Sequence, residues 1–361
     1  NILIGMKHNI FARHPENLTI DWAQRVVNLN YPGITVLNIS TVSVDVGTTT
    51  RIRVLVELDK PEVLPQRWFI KLPSLAWRAR LITALPRLLH TEVRFYNELA
   101  STIPINVPDF IAAQSKFGAG ATLVLSDIAE SGASPGMPSD ALTAIEASDV
   151  IKQLAKLHAH FWNKVHSNQT YHWLAGPVRQ LEDHLGTALS VPLMKRGLNL
   201  AGELVPSTLH APAIHYARNR RKVMRFLSGS PKTLIHHDCH PGNLFWNKSK
   251  PGLLDWQLIR IGEGISDISY FLSMAVKPEI RRLHEGTLLT LYKNELIKNG
   301  VPSSEVIDMQ QRYRAHLIYP FEAMIVTLAV GGMMNLEHNR ELLRRTIVAI
   351  EDHDVFSAIP M

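Results

Sequence analysis

Residues 233–256, TLIHHDCHPGNLFWNKSKPGLLDW, decide the reading of the chain. Two short apolar segments, TLIHHD (233–238) and GLLDW (252–256), stand on either side of a polar turn, NKSK, and predict a hairpin. Within it His236, Asp238 and Asn243 follow the spacing H-x-D-x-x-x-x-N, and a second carboxylate, Asp255, closes the last apolar run. With each residue type near 5% abundance, that spacing alone arises in roughly a few per cent of chains this long. Its position between two apolar segments, with Asp255 following, makes coincidence much rarer.

The chemistry that needs this spacing is phosphoryl transfer. One carboxylate orients an acceptor hydroxyl and takes its proton, while an amide and a second carboxylate hold Mg²⁺ against nucleotide phosphates. Two other readings stay open on the residues alone. Asp238 and Asn243 fit a polar turn in which they only cap loops. His236, His237 and His240 fit a metal cluster of hydrolase type, although adjacent residues on an extended segment point to opposite faces.

Working upstream, residues 16–30 put Leu18, Trp22, Val26 and Leu29 on one helical face. Residues 34–44 and 50–58 alternate around a Gly-Thr-Thr break and predict a hairpin. RWFIKLP (67–73) reads as a third strand, 88–100 as a helix striped by Leu89, Val93, Tyr96 and Leu99, and 123–128 as another strand. A Gly/Pro/Ser breaker, SGASPGMPSD (131–140), then marks a boundary. Beyond it most segments read helical, beginning with 140–166. The expected class is α+β, with a β-rich N-lobe over 1–130 and a larger, mostly helical C-lobe over 131–361.

Composition bounds the rest. The 361 residues are 46% hydrophobic and 19% charged, which excludes disordered and fibrous classes. A net charge of +6 is mild for this length and compatible with anionic ligands. No run of Lys/Arg interleaved with aromatics supports nucleic acid as a partner. The single cysteine, Cys239, rules out an internal disulfide. The longest apolar stretch, Ala323 to Met334, has 12 residues, too short for a membrane span, and reads as a buried helix. No charged-then-apolar leader opens the sequence at Asn1, and a cytoplasmic protein without a membrane partner is expected. Nothing in the sequence reports on oligomeric state.

The segment LIHHDCHPGNLFWN…GLLDWQLIRIGEGISDISYFL resembles the catalytic loop and metal-binding segment of the aminoglycoside phosphotransferase/choline kinase-like superfamily. The runs DWQ…G…D-x-x-YFL, EVRFYNEL and LAKLHAHFW are most similar to its ecdysteroid-kinase-like branch. The resemblance spans about residues 20 to 300 and implies a protein-kinase-like bilobal fold that moves the γ-phosphoryl of ATP, with Mg²⁺, to a small-molecule hydroxyl. It implies Asp238 as the catalytic carboxylate, His236 as a brace for its loop, Asn243 and Asp255 as Mg²⁺ ligands, and Asp267 as a tie on the loop backbone. Lys71 would reach the α- and β-phosphates and pair with Glu92. Gly47, Thr48 and Thr49 would cover the phosphates, and the backbone from Ser126 to Ile128 would meet the adenine, although Asp127 between them also suits a turn cap.

Two departures from protein kinases follow. The phosphate-covering turn has one glycine, which keeps open an inactive, nucleotide- or ligand-binding protein. Trp256-Gln257 stands where protein kinases carry Phe-Gly, and Asp267 comes only 11 residues beyond Trp256. That leaves little room for a peptide platform, so the expected acceptor is a small hydroxylated molecule. The region 171–230 holds eight Lys/Arg against three acids, which argues against a polycationic acceptor unless it is a solvated face. His158, Trp162, Trp173, Tyr216, Phe321, Met333 and Met334 offer apolar surface for a neutral acceptor, or core.

Overall fold

The computed structural model describes residues 9–76, 88–118, 120–165, 168–229 and 231–361. The segment at Asn1 considered above for a leader lies outside them. The chain divides into two compact units. One takes the chain up to Ser134 with Phe245–Ser249 and Leu253–Leu258; the other takes Pro135–Leu244, Lys250–Gly252 and Ile259–Met361.

The first unit opens with α1 (Ile20–Asn30), whose cap Thr19 accepts a hydrogen bond from the Trp22 N–H at 3.2 Å. The helix starts later than the amphipathic pattern from residue 16 suggests, because Pro15–Asn17 forms a separate 3-10 turn. Five antiparallel strands follow: β1 (Val36–Val46), β2 (Thr49–Leu58), β3 (Arg67–Pro73), β4 (Phe110–Lys116) and β5 (Gly120–Ser126), in the order β1-β2-β3-β5-β4. Ile52, Val54, Val56 and Leu58 of β2 alternate inward with Trp68, Ile70 and Leu72 of β3. They pack with Trp22 and Val26 of α1, and Trp22 meets Trp68 edge-on at 6.5 Å. Lys71, next to Ile70 and Leu72, therefore leaves β3 on the other face. That face belongs to α2 (Leu88–Glu98).

In the second unit Thr143 and Glu146 form a capping box at the start of α3 (Ala144–Phe161), whose stripe Ile151, Leu154, Leu157 and Phe161 is buried. Next come α4 (Pro177–Ala201), α5 (His210–Leu227) and strand β6 (Thr233–Ile235). After β7 (Leu244–Asn247) and β8 (Lys250–Leu253) the chain forms β9 (Arg260–Gly262) and α6 (Ile265–Ala275). The pairing of 233–238 with 252–256 expected from sequence is corrected: β6 pairs antiparallel with β9, Ile235 opposite Arg260 and Thr233 opposite Gly262. Arg-Ile-Gly has no apolar run to announce a strand, and the glycine lets Ile235 close over it.

Every residue of α6 is buried, as expected of a helix at the centre of a core. Around it lie α7 (Pro278–Lys298), α8 (Met309–His316), α9 (Ile318–Val330) and α10 (Leu336–His353). The apolar stretch from 323 falls mostly in α9, which ends at Gly331 with φ +74°. No described helix is long and apolar enough to cross a membrane.

The segment after Pro135 is fastened to this unit. The buried Arg345 guanidinium donates to the carbonyls of Ser139, Asp140 and Met274 at 2.6–2.7 Å. The Gly136 N–H donates to the Leu244 carbonyl at 2.9 Å, and a Cβ on Gly136 would stand 2.3 Å from the Pro241 carbonyl oxygen. Gly136→Ala is therefore expected to lower stability by about 2–3 kcal/mol, the scale of an overpacked backbone contact. Urea denaturation measures it, and an unchanged midpoint would show that the Pro241 loop yields freely.

Candidate active site

In the first unit the central feature is a buried lysine. The Lys71 ammonium donates to both oxygens of Glu92, at 2.9 and 2.8 Å, and lies 3.5 Å from Asp255. Burial pulls its pKa down, but Asp255 and Glu92 outweigh that, so the amine stays charged, with its pKa above the ordinary lysine value. Glu92 also accepts from the Trp256 N–H at 3.2 Å and the Gln257 side-chain amide at 3.3 Å. The Trp256 indole lies flat on Phe95 of the same helix, ring centroids 4.3 Å apart. Asp255 adopts a left-handed backbone, φ +58°, and its side chain stays 34% exposed. Lys71, Glu92 and Asp255 thus form one cluster with a charged amine and a reachable carboxylate.

The turn Gly47-Thr48-Thr49 joins β1 to β2. The Gly47 N–H donates to the Thr49 carbonyl at 3.0 Å, and the Ser74 hydroxyl donates to the Gly47 carbonyl at 2.6 Å. At the end of β5 the Ser126 and Asp127 N–H groups are held by the Asp109 and Arg67 carbonyls. The Asp127 carboxylate caps the following turn through the Ala129 N–H at 3.1 Å and faces Arg53 at 3.2 Å. Ile128 begins that turn.

In the second unit the loop after β6 is pinned from α6. The buried Asp267 carboxylate accepts the His236 and His237 N–H groups at 2.8 Å each and the His158 Nε2 proton at 3.0 Å. The far side of the His158 ring, Nδ1, is hydrogen-bonded to the Tyr292 hydroxyl at 2.8 Å. His236 is fully buried and its Nδ1 accepts the Asp238 N–H at 3.2 Å. The Asn243 amide donates to the Asp238 carbonyl at 2.8 Å and to its Oδ2 at 3.0 Å. Asp238, Asn243, His236 and Asp267 are thus brought together, with the Asp238 carboxylate 26% exposed.

Sequence reasoning passed over two members of this assembly. Tyr270, one turn beyond Asp267, donates its hydroxyl to Asp238 Oδ1 at 2.7 Å; the spacing D-x-x-Y was its signal. His158 was grouped with apolar surface, and it is instead wholly buried and committed to Asp267. Tyr216 and Phe321 are likewise core rather than surface. The metal-cluster reading of His236, His237 and His240 is also corrected. No group of three His, Cys, Asp or Glu among the described residues is arranged to hold a metal. His237 instead lies flat on Tyr319 at 4.1 Å, and His240 Nδ1 accepts the Gly242 N–H.

Two of the cations of 171–230 and two of its acids are tied into ion pairs. Arg220 forms a two-point pair with Glu322, Arg179 pairs with Glu182 at 2.6 Å, and Asp183 holds Arg260 at 2.8 Å. Arg260 reaches His237 Nε2 at 3.3 Å. Burial, with Arg260 and Arg179 beside it, holds His237 well below its ordinary pKa, hence neutral.

A model of the phosphotransferase enzyme family (APH) matches residues 47–293. No curated protein matches the sequence. Among solved structures, the GDP complex of wild-type aminoglycoside 2'-phosphotransferase-IIIa is similar with a TM-score of 0.51 at 11% identity, covering 92% of this chain and 97% of that one. A choline kinase from Cryptosporidium parvum Iowa II is similar with a TM-score of 0.52 at 13% identity, covering 91% of this chain and 96% of that one. At such identities the likeness is one of fold. The fold is α+β and protein-kinase-like, with a β-rich N-terminal lobe and a largely helical C-terminal lobe.

Proposed function

Because the chain belongs to the phosphotransferase enzyme family, we propose that it is a small-molecule kinase that transfers the γ-phosphoryl of ATP to an acceptor hydroxyl. The observation that carries this reading is the buried Lys71, held at 2.8 Å by Glu92 and 3.5 Å from Asp255. A charged amine inside a protein needs anionic partners, and one facing a partly exposed carboxylate suits nucleotide phosphates and the cation that accompanies them. Asp238 orients the acceptor hydroxyl and takes its proton as transfer proceeds, and His236 braces its loop. Gly47, Thr48 and Thr49 cover the phosphates, and the backbone from Ser126 to Ile128 meets the base.

The donor set fits Mg²⁺. With its NH₂ committed to Asp238, Asn243 offers its amide oxygen, and Asp255 offers a carboxylate. Both are hard oxygen ligands of the kind Mg²⁺ takes along with waters and phosphate oxygens. When bound, the cation offsets charge on the β- and γ-phosphates.

The acceptor is read as a neutral hydroxylated molecule. Asp183, Glu182 and Glu322 are each paired with an arginine, so a polycation would have to displace an existing ion pair to be recognised. His237 adds an uncharged ring beside Asp238. The runs DWQ and D-x-x-YFL support placing the chain in the ecdysteroid-kinase-like branch.

One observation favours a second reading, a nucleotide-binding protein without turnover. The Gly47 turn spends its Gly47 N–H on its own closure through the Thr49 carbonyl, leaving one donor fewer for phosphate. A thermal-shift comparison tests the shared premise. Mg–ATP at 100 times its dissociation constant is expected to stabilise wild type by about 2.7 kcal/mol, several degrees, and Asp255→Ala by much less. Equal shifts would remove Asp255 from the site. Slow Mg–ATP hydrolysis then separates kinase from inactive binder.

A further inference from the structure

We infer that Tyr270 is a positioning residue for Asp238, acting with Asn243 as a two-point clamp on the carboxylate; this rests on the phosphotransfer reading of Asp238. The terminal torsion of an aspartate is broad, so nothing in its own chemistry selects one carboxylate plane. Here both oxygens are engaged, one from α6 and one from within the loop. Tyr270 donates to Oδ1 at 2.7 Å, and Asn243 donates to Oδ2 at 3.0 Å.

The two donors differ in what stands behind them. Asn243 sits on the same loop as Asp238, five residues on, and moves with it. Tyr270 belongs to α6, whose every residue is buried, and lies on the same face as Asp267 three positions earlier. One helix face therefore fixes both the loop backbone, through Asp267, and the side chain the loop presents, through Tyr270. The phenol is itself held in place. Its ring is 2% exposed and tilts against Tyr319 at 5.6 Å, and Tyr319 in turn stacks on His237. Burial, with Asp238 beside it, keeps the phenol protonated as a donor.

Loss of the hydroxyl alone leaves the ring, its packing and the nucleotide side untouched, but frees Oδ1 of the carboxylate. Misplacement of a reacting group by about 1 Å can lower a rate about 10²-fold. A plane still held by Asn243 is a smaller error, so Tyr270→Phe is expected to lower kcat for Mg–ATP turnover about tenfold. KM for ATP stays within about twofold, because a packing defect would move both and a misaimed carboxylate moves kcat.

The contact has a readout that needs no turnover. 3-Fluorotyrosine placed at position 270 reports the phenol's hydrogen bond through its ¹⁹F resonance, which is expected to shift on Asp238→Ala. Tyr270→Phe turning over at the wild-type rate, or a resonance indifferent to Asp238→Ala, would overturn the clamp. A wild type inert towards ATP whose resonance still shifts would count against the phosphotransfer reading while upholding the clamp.

Discussion

Asp238→Asn is expected to reduce Mg–ATP turnover, with water or any hydroxylated acceptor, by roughly 10²–10⁴-fold, the usual contribution of a positioned proton acceptor. The substitution keeps size and shape. Tyr270 still finds an oxygen at the Oδ1 position, whereas the Asn243 amide, which now donates to Oδ2, would face an NH₂. That mismatch is local and beside solvent. Nucleotide binding, assigned to Lys71 and Asp255, should persist. Steady-state turnover and a Mg–ATP thermal shift on the same preparation separate the two effects. Turnover within tenfold of wild type would mean that Asp238 neither orients nor deprotonates the acceptor.

Much of this was legible where the signal is local. The hairpin of β1 and β2 follows from alternation, and Lys71 in an otherwise apolar strand announced the need for a partner. The grouping of His236, Asp238 and Asn243 on one loop follows from spacing. What was hidden depends on contacts between distant parts of the chain. β4, Phe110–Lys116, was missed because Ile-Ala-Ala-Gln lacks β-branched alternation; pairing with β5 makes it a strand, and Ala112 and Ala113 are buried there. The β6–β9 pairing was missed for a similar reason. The link from His158 to Asp267 crosses 109 residues, and no periodicity reports such a contact.

The Glu92 cluster also bears on regulation. In a protein kinase the residues after the metal-binding aspartate carry a flexible Phe-Gly. Here Trp256 is stacked on Phe95, and Gln257 donates to the same carboxylate that holds Lys71. Displacing α2 would take the Glu92 carboxylate from a buried ammonium and break two further hydrogen bonds together. Removing one partner of such a buried pair commonly costs about 3–5 kcal/mol. The Lys71–Glu92 pair is therefore assembled by the fold itself, and control by swinging that helix outward is disfavoured.

Asp267→Asn is expected to have the largest effect on stability, about 3–5 kcal/mol, because a wholly buried carboxylate receiving three donors loses an acceptor it cannot replace. An asparagine has one oxygen, so its NH₂ would point at the N–H of His236 or His237, or at the His158 ring. Asp267 is wholly buried, so turning toward solvent does not relieve that conflict. In a protein of this size the melting temperature should fall by roughly 10 °C. His158→Phe removes one donor and keeps the carboxylate with the two loop N–H groups, so it should cost less, although it leaves the Tyr292 hydroxyl without its imidazole partner. The order Asp267→Asn worse than His158→Phe, read from denaturant midpoints, is what a loop pinned by its backbone requires. The reverse order would put the principal anchor at the imidazole. Where Asp267→Asn remains folded, its turnover should fall with Asp238→Asn, since the loop that carries Asp238 hangs on those two N–H bonds.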